Sequence, residues 1–370
     1  MSSTQPFVLR WGIVSTGRIA MDFVKDLLVD PKTRGTEDVV HKVVGVGSRN
    51  TQKAQEFIDT YIHGDKSVKA YGTYADLFAD KEVDAVYIGT PHTSHYENAR
   101  DALLAGKHVL CEKPTTSNAA ELKSLLALAA DKKLFFMEAM WTRFQPLTKE
   151  LKKIAEEGTL GDPVLLHADL AFDVDIAHVP KTHRMVDPNL GGGALLDLGP
   201  YPMIWTILAL FEHPSNKGAH PTSISASMVK TSLTGVDSST SWTVNFTKTL
   251  QAQAILSASI TVPSASFGAT IRYRNGNIIV GTPIFCPKQF TVQYFDKPGS
   301  GVIVREETRT FNYTGSGWHF EADEVARSVR DGKLESDLWT HEKSIILMET
   351  FDEVRRQGGY VLPPGVEKVL

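Results

Sequence analysis

The sequence predicts two domains of different class: an α/β domain with a parallel sheet, then an α+β domain with a large, mostly antiparallel open sheet. Over residues 1–145, apolar strand-like runs alternate with helical stretches, which is typical of βαβ units. Over residues 146–370, strand-like runs dominate, and turn signals such as Asn275-Gly276-Asn277 join several of them. A chain of 370 residues is long enough for two cores. The final helices could pack back on the first domain.

Uninterrupted apolar runs mark the strands of the first domain, as expected for strands buried on both faces of a sheet. These runs are Phe7–Val14, Val39–Gly47, Val83–Gly89, Val109–Cys111 and Leu134–Met137. The helices predicted between them are Arg18–Leu28, a helix capped by Thr51 that continues to Phe57, Ser94–Ala105 with Ser94 as its N-cap, and Asn118–Ala130. Ligands of such sheets bind beyond the carboxyl ends of the strands, so the residues that follow each strand are the candidate site.

The second domain reads as an antiparallel sheet with few helices. Its predicted strands are Val164–Phe172, Ser223–Thr231, Ser241–Phe246, Gln251–Ile260, Phe267–Arg274, Ile278–Val280, Phe290–Tyr294 and Val302–Phe311. Its predicted helices are Pro146–Glu157, the apolar stretch Gly193–Phe211, Trp318–Arg330 and Thr340–Arg356. We expect one ligand crevice between the two domains.

Composition and charge narrow the class of function. The net charge of −4, with no basic stripe, argues against a nucleic-acid partner. Two cysteines without a C-x-x-C pair argue against a disulfide framework or a thiolate zinc site, and no other metal constellation is visible. No apolar stretch reads as a membrane span, and the N-terminal segment lacks the pattern of a secretory signal. We therefore expect a protein of a reducing compartment, the cytoplasm, with no nucleic-acid or membrane partner.

The stretch WGIVSTGRIAMDF, residues 11–23, places small residues where the first strand meets the first helix. The positions of a G-x-G-x-x-G dinucleotide motif hold Ser15, Gly17 and Ala20, of which one is glycine. An ordinary tight turn is the alternative. The strand–turn–helix context favours a pyrophosphate site at the helix N-terminus, formed by Ser15, Thr16, Gly17, Arg18 and Ile19.

The end of the second strand, GVGSRN at residues 45–50, indicates which dinucleotide binds. NAD-selective folds place a carboxylate here, whereas a cation accommodates the 2′-phosphate of NADP. This chain has Ser48 and Arg49 and no carboxylate, and Lys53 lies one helical turn further on. Arg49 could also be a solvated surface residue. The pattern favours NADP, and the polar insert around residues 31–38 explains the long spacing from Gly17.

The stretch GTPHTSH, residues 89–95, closes the third predicted strand. Thr90 and Pro91 would turn the chain across the cofactor, and His92 and His95 could face the nicotinamide or its ribose. Histidines in a loop are more often structural or exposed. At this spacing the two histidines do not by themselves form a metal site.

Two further stretches, HVLCEKPTT at 108–116 and GGGALLDLGPYP at 191–202, complete a specific order of motifs. Alone, Glu112 and Lys113 could be solvated turn charges. Together with the Rossmann-type start and GTPHTSH, these stretches make the chain resemble the Gfo/Idh/MocA oxidoreductase family over nearly its whole length. EAMWTRF at 138–144, and Tyr201 where most members have histidine, resemble the subgroup of dimeric dihydrodiol dehydrogenases and NADP-dependent D-xylose 1-dehydrogenases.

The resemblance implies roles for the second pair of motifs. Lys113 would reach the active site beside the nicotinamide, and Glu112 would lie near the nicotinamide and ribose. A cis peptide bond is expected between Lys113 and Pro114. Tyr201 would be the catalytic acid/base, with its pKa lowered by the Lys113 ammonium. Asp197, four residues before Tyr201 and so on the same helix face, would orient this pair or bind a substrate hydroxyl.

Three glycines ahead of an apolar helix, residues 191–193, would allow close backbone approach to a ligand. Trp141 could lie against the cofactor or the substrate, although a core tryptophan is the alternative. Arg143 would anchor the cofactor or a loop.

The resemblance implies an NADP-dependent dehydrogenase that oxidises an aldopyranose, first of all D-xylose at C1 to D-xylonolactone. Oxidation of a trans-1,2-dihydrobenzene-1,2-diol or of another sugar or carbonyl compound is the alternative. A dinucleotide-sensing regulator without turnover is a more distant alternative. Such a protein need not keep the catalytic pair, and Lys113 and Tyr201 are both present here. The family also implies a homodimer.

Overall fold

The computed structural model describes residues 5–370, and the chain divides into two compact units. The first unit consists of Met1–Phe144, Tyr313–Ile345 and Lys368–Leu370, and the second of Gln145–Asn312 and Ile346–Glu367. Residues 1–4 lie outside the described part. They include the beginning of the N-terminal segment for which no secretory signal was predicted.

The first unit is built around a six-stranded sheet in which every neighbouring pair is parallel, as predicted. Its strands are β1 (Phe7–Val14), β2 (Val39–Gly47), β3 (Lys69–Tyr71), β4 (Ala85–Ile88), β5 (His108–Glu112) and β6 (Phe136–Ala139). Their order is β3-β2-β1-β4-β5-β6, which is the order of a doubly wound nucleotide-binding fold. The sequence analysis missed β3, because this three-residue edge strand contains no buried apolar run.

Six helices belong to this unit: α1 (Arg18–Leu27), α2 (Thr51–Tyr61), α3 (Tyr74–Ala79), α4 (His95–Leu104), α5 (Ala119–Lys132) and α9 (Trp318–Arg330). One predicted cap was wrong, and the other was right in position only. Asn50, and not Thr51, caps α2, because its side chain accepts from the N–H groups of Gln52 and Lys53. Ser94 precedes α4 but makes no capping hydrogen bond.

Two buried carboxylates hold α9 within the first unit. Asp26 of α1 accepts from the main-chain N–H groups of residues 316–318 and so caps the N-terminus of α9. Asp323 of α9 pairs with Arg34 at 2.7 Å. Arg34 ends the short 3-10 turn Pro31–Arg34, so the polar insert noticed in the sequence is an attachment point for α9.

The second unit contains an eight-stranded sheet, which confirms the predicted large and mostly antiparallel sheet. Its strands are β7 (Pro163–Ala171), β8 (Ser223–Lys230), β9 (Asp237–Phe246), β10 (Ala252–Ser259), β11 (Ala269–Tyr273), β12 (Gly276–Val280), β13 (Gln289–Phe295) and β14 (Ile303–Thr310). They are ordered β14-β13-β12-β11-β7-β10-β9-β8. Of the neighbouring pairs in this sheet, only β7 and β10 are parallel.

Three α-helices of the described part lie wholly in this unit: α6 (Pro146–Glu156) before β7, and α7 (Ala194–Leu198) and α8 (Pro200–Thr206) between β7 and β8. A fourth, α10 (His341–Gln357), begins in the first unit and ends in the second. The single helix predicted over Gly193–Phe211 is interrupted at Gly199 and ends in a π-helical turn, Ile207–Phe211. Pro200 and Pro202 have no N–H to donate, which weakens the regular helical ladder at this point.

By length and composition, the helical run Pro188–Phe211 could cross a membrane, which the sequence analysis did not anticipate. In the fold, 94% of its apolar window is buried inside the protein. Trp205 of α8 is fully buried, and the indole N–H of Trp242 in β9 contacts the sulfur of Met203 in α8 at 3.5 Å. This is the packing expected of a core helix.

Candidate active site

The candidate cofactor residues of the first unit lie along one edge of its sheet. Ser15 follows β1, Ser48 follows β2, Thr90 comes two residues after β4, Glu112 ends β5, and Trp141 comes two residues after β6. Because all these strands are parallel, their carboxyl ends meet at the same edge, which is where doubly wound sheets bind ligands. The first unit therefore brings these sequence motifs together.

The turn between β1 and α1 has the features of an anion site. Ser15 has a φ of 104°, a conformation that non-glycine residues rarely adopt and that is concentrated at functional sites. Its hydroxyl accepts the N–H of Gly17 at 3.1 Å. Helix α1 has no side-chain cap and no acidic residue in its first turn, so its N-terminal N–H groups and positive dipole end favour an anion.

The neighbours of this turn suit the same ligand. Gly17 and Arg18 are exposed, and Thr16 and Ile19 are partly exposed, so the turn faces solvent. The Thr16 hydroxyl lies 3.4 Å from the hydroxyl of Ser48, which connects the turn to the end of β2. These residues fit the pyrophosphate of a dinucleotide.

The end of β2 offers cations and no carboxylate. Ser48 is buried and donates its N–H to the Tyr71 carbonyl at 3.1 Å. Arg49 and Lys53 are both exposed, and Lys53 is in the first turn of α2. Since residues 48–53 include no acidic side chain, this end of the strand fits a 2′-phosphate better than a free 2′-hydroxyl.

The loop after β4 contains two histidines, of which His95 is enclosed by the protein. His95 is 1% exposed, and its Nδ1 and Nε2 lie 2.9 Å from the carbonyl oxygens of Pro114 and Thr90. Burial lowers the pKa of His95 to about 4. Both ring nitrogens face main-chain oxygens, so His95 is a structural residue here, contrary to the expectation that it faces nicotinamide or ribose. Contacts of His92 and of the exposed Pro91 with a cofactor stay predictions.

At the end of β5, Glu112 is buried and the next residue, Lys113, is partly exposed. Glu112 is 5% exposed and accepts the hydroxyl of Tyr87 at 2.6 Å. Its other oxygen accepts the N–H of Lys113 at 3.2 Å. Lys113 is partly exposed, and the predicted cis bond to Pro114 is confirmed. The carboxylate thus orders the turn that carries Lys113.

The motif after β6 is buried. Trp141 is 4% exposed and stacks on Trp318 of α9, with ring centroids 4.1 Å apart and planes 3° apart. One face of its indole is therefore covered by the protein. Arg143 is 3% exposed. The buried position of both residues favours the roles of core tryptophan and loop anchor.

In the second unit, Asp197 of α7 and Tyr201 of α8 are brought together with an arginine that sequence reasoning missed. Arg184 pairs with both oxygens of Asp197, at 3.1 and 3.3 Å. The charge of Asp197 raises the pKa of Arg184, and Tyr201 adds to this effect. The guanidinium thus lies within electrostatic reach of the phenol, where it favours the phenolate form.

An aromatic wall packs against Tyr201. The ring of Phe285 lies 5.4 Å from that of Tyr201, and Phe172 at the end of β7 lies 6.1 Å from Phe285. The indole of Trp205 donates to the Ile284 carbonyl at 3.0 Å and so fixes the loop that carries Phe285. Phe285 and Arg184 lie in loops without periodicity, and no sequence signal could have found them.

Gly192 and Gly193 make room for the protein itself, which corrects the interpretation that these two glycines admit a ligand. A Cβ added to Gly192 would lie 2.9 Å from the Arg184 carbonyl oxygen. A Cβ on Gly193, whose φ is 121°, would lie 2.0 Å from Oδ1 of Asp237. Asp237 is buried, accepts the N–H of Leu195 at 2.7 Å and thereby holds the start of α7.

Within residues 5–370, no group of three or more His, Cys, Asp or Glu side chains is arranged to hold a metal ion. The arrangement in the first unit fits a dinucleotide, and that in the second provides a phenol beside a cation. Such a set can move a proton and bind a nicotinamide cofactor.

Comparison with known protein families gives a match to each unit. Residues 9–140 match the family described as "Oxidoreductase family, NAD-binding Rossmann fold", and residues 148–282 match the "GFO/IDH/MocA C-terminal domain". Together these two matches cover most of the chain.

Individual relatives agree with the family match. The chain is 38% identical to a D-xylose 1-dehydrogenase (NADP(+)) of Hypocrea jecorina, over 98% of this chain and 95% of that protein. It is 35% identical to the human trans-1,2-dihydrobenzene-1,2-diol dehydrogenase, over 96% of this chain and 98% of that protein. A levoglucosan dehydrogenase structure shares the fold, with a TM-score of 0.78 and 18% identity over 95% of this chain and 97% of that one. The chain therefore belongs to the Gfo/Idh/MocA family of oxidoreductases.

Proposed function

We propose that this protein is an NADP-dependent dehydrogenase that oxidises an aldopyranose, D-xylose first of all, at C1 to the lactone. The single observation that carries the proposal is the Arg184–Asp197 pair, whose guanidinium interacts electrostatically with the phenol of Tyr201. An enzyme that oxidises an alcohol needs a base for the hydroxyl proton, and a tyrosine with a cation nearby can supply it. The first unit would bind NADP, and the second would bind the substrate.

The roles of the residues follow from this chemistry. Tyr201, as phenolate, would accept the proton of the anomeric hydroxyl. Lys113 would donate a hydrogen bond to the same oxygen and stabilise charge as the proton leaves. Asp197 would bind a neighbouring substrate hydroxyl or hold Arg184 in place. When bound, NADP+ supplies the carbon that accepts the hydride.

Arg49 is proposed to bind the 2′-phosphate. Replacing it by Gln should raise the KM for NADP+ by about tenfold or more, because a hydrogen bond between charged groups is lost. The KM for NAD+ should stay the same, since NAD+ has no 2′-phosphate. Steady-state kinetics with both cofactors tests this prediction, and Lys66→Gln is a control for an exposed cation after α2. An equal change for both cofactors would contradict the assignment.

Arg184 is expected to affect the pH dependence of turnover. A cation beside a phenol favours phenolate, which is the form that accepts the proton, so Arg184→Met should shift the acidic limb of the kcat–pH profile to higher pH. The shift should stay below about one pH unit, because Arg184 is 62% exposed and water screens its charge. Arg184→Lys keeps the charge and should shift the profile less. If the two variants gave the same profile, Arg184 would have no electrostatic role.

The aromatic wall gives the second candidate function some support. Phe285 and Phe172 form an apolar surface beside Tyr201, which would suit the ring of a trans-dihydrodiol. Parallel assays of NADP+ and NAD+ reduction with D-xylose, other aldoses and trans-1,2-dihydrobenzene-1,2-diol separate the candidates. Higher kcat/KM for the diol would favour the second. Retained NADP+ binding without turnover of any alcohol would favour a sensor and overturn the enzyme proposal.

The expected homodimer is proposed to form through the eight-stranded sheet. On β7 the buried side chains of Leu166, Ala168 and Leu170 alternate with partly exposed ones, so one face is covered and the other is available. Ile255 of β10 is 38% exposed. Light scattering coupled to size exclusion, with an Ile255→Arg variant for comparison, tests whether this face pairs. The cytoplasmic location also stays a proposal, which cell fractionation tests.

A further inference from the structure

The peptide group that joins Pro114 to Thr115, directly after Lys113, is held at both ends by buried side chains. Its carbonyl oxygen lies 2.9 Å from Nδ1 of His95. Its N–H donates to Oε1 of Glu138 at 3.2 Å. Thr115 is fully buried, and His95 and Glu138 are each 1% exposed, so water does not compete for either bond.

Each of these side chains also contacts a further group at its far end. Nε2 of His95 lies 2.9 Å from the Thr90 carbonyl oxygen in the loop after β4. The second oxygen of Glu138, in β6, accepts the Ser344 hydroxyl at 2.6 Å and the Trp339 indole N–H at 3.2 Å. The peptide group therefore lies between a side chain that follows β4 and one in β6, the strands on either side of β5 in the sheet.

The chemistry of the two partners is complementary. A carbonyl oxygen needs a donor and an N–H needs an acceptor. Neutral imidazole carries one N–H and therefore donates to one carbonyl at a time. Glu138 offers only acceptor oxygens when ionised, and the hydrogen bonds from Ser344, Trp339 and Thr115 support that form against burial, which raises its pKa.

We propose that His95 and Glu138 form a clamp on the Pro114–Thr115 peptide and are positioning residues for Lys113. The clamp consists of the Nδ1–H bond to the Pro114 carbonyl and the Thr115 N–H bond to Glu138. It fixes the main chain one residue after Lys113 and so limits where the ammonium group can lie. The catalytic part of this inference rests on the function proposed above for Lys113.

Two variants of His95 separate the two ends of its ring. The amide nitrogen of Asn lies about where Nδ1 lies, so His95→Asn keeps a donor for Pro114. The amide nitrogen of Gln lies about where Nε2 lies, so His95→Gln keeps a donor for Thr90 only. His95→Gln should lower kcat by about tenfold or more with the KM for NADP+ unchanged, whereas His95→Asn should stay within about threefold of the wild type.

Matched variants complete the kinetic test. Glu138→Gln keeps an acceptor oxygen for Thr115 and should retain most of the kcat that Glu138→Leu loses. Tyr96→Phe, one residue after His95, removes a hydroxyl that faces Ser124 at 3.2 Å and leaves the clamp intact, so kcat should not change. Melting temperatures of all variants identify any loss of folding. Equal losses in His95→Asn and His95→Gln at equal melting temperature would overturn the proposal.

Hydrogen–deuterium exchange of the peptide covering residues 111–118 tests the clamp without using activity. Exchange at Thr115 should be faster in His95→Gln and Glu138→Leu and unchanged in His95→Asn and Tyr96→Phe. Exchange that is the same in all variants would overturn the clamp. Faster exchange with unchanged kcat would overturn the positioning role. Failure of the proposed function would instead show as a wild-type protein without turnover, with the exchange pattern still deciding whether the clamp exists.

Discussion

Replacing Tyr201 by Phe is expected to lower kcat by about a hundredfold or more, which is the usual effect of removing a general acid–base group. The change removes one oxygen and keeps the ring. Its contact with Phe285, 5.4 Å between centroids, should therefore persist and the fold should be unchanged. NADPH binding, which the proposal places on the first unit, should also be intact.

The measurement is kcat with saturating substrate and NADP+, together with NADPH affinity from fluorescence titration. Tyr273→Phe is the matched control in the same unit. Tyr273 of β11 is 4% exposed, and its hydroxyl has no hydrogen-bond partner among the described residues, so its removal should change neither stability nor turnover appreciably. Unchanged turnover in Tyr201→Phe would rule out the acid–base role.

The fold could be predicted where a physical pattern extends over a whole element. Apolar runs such as Val39–Gly47 predicted the buried parallel strands, and the spacing of the apolar residues predicted α9 with its observed bounds, Trp318–Arg330. Strand β3 was missed because an edge strand of three residues needs no apolar run. The interruption at Gly199 was missed because Gly199 itself has helical backbone angles. Pro200 and Pro202, which follow it, have no N–H to donate to the helix.

The site was predictable where its residues share a continuous motif. The turn at Ser15, the cations after β2 and the lysine that follows β5 each lie beside a strand end that the sequence reveals. Arg184, Phe285 and the bonds of His95 depend instead on contacts between loops distant in sequence, and no local pattern encodes them. At Gly193 the sequence led to a false inference: a ligand was expected there, but the side chain of Asp237 fills the space.

Lys113→Met is expected to lower kcat by about 10² to 10³, comparable to the loss of one preorganised donor to a developing oxyanion. Methionine has a similar length and no charge, so the turn after β5 should keep its shape. The bond from the main-chain N–H of Lys113 to Glu112 does not depend on the side chain. Lys113 is partly exposed, and its replacement should leave the melting temperature nearly unchanged.

The double variant Lys113→Met/Tyr201→Phe tests whether the two groups act in one proton transfer. If they do, either change already disables that step, and the double variant should be little slower than the slower single variant. Independent roles would multiply the two losses. Lys113→Arg is the control, because it keeps a cation but replaces a compact ammonium with a planar fork, and it should recover only part of the rate. Full turnover in Lys113→Met would refute the role assigned to this lysine, and with it the reason for clamping the peptide that follows it.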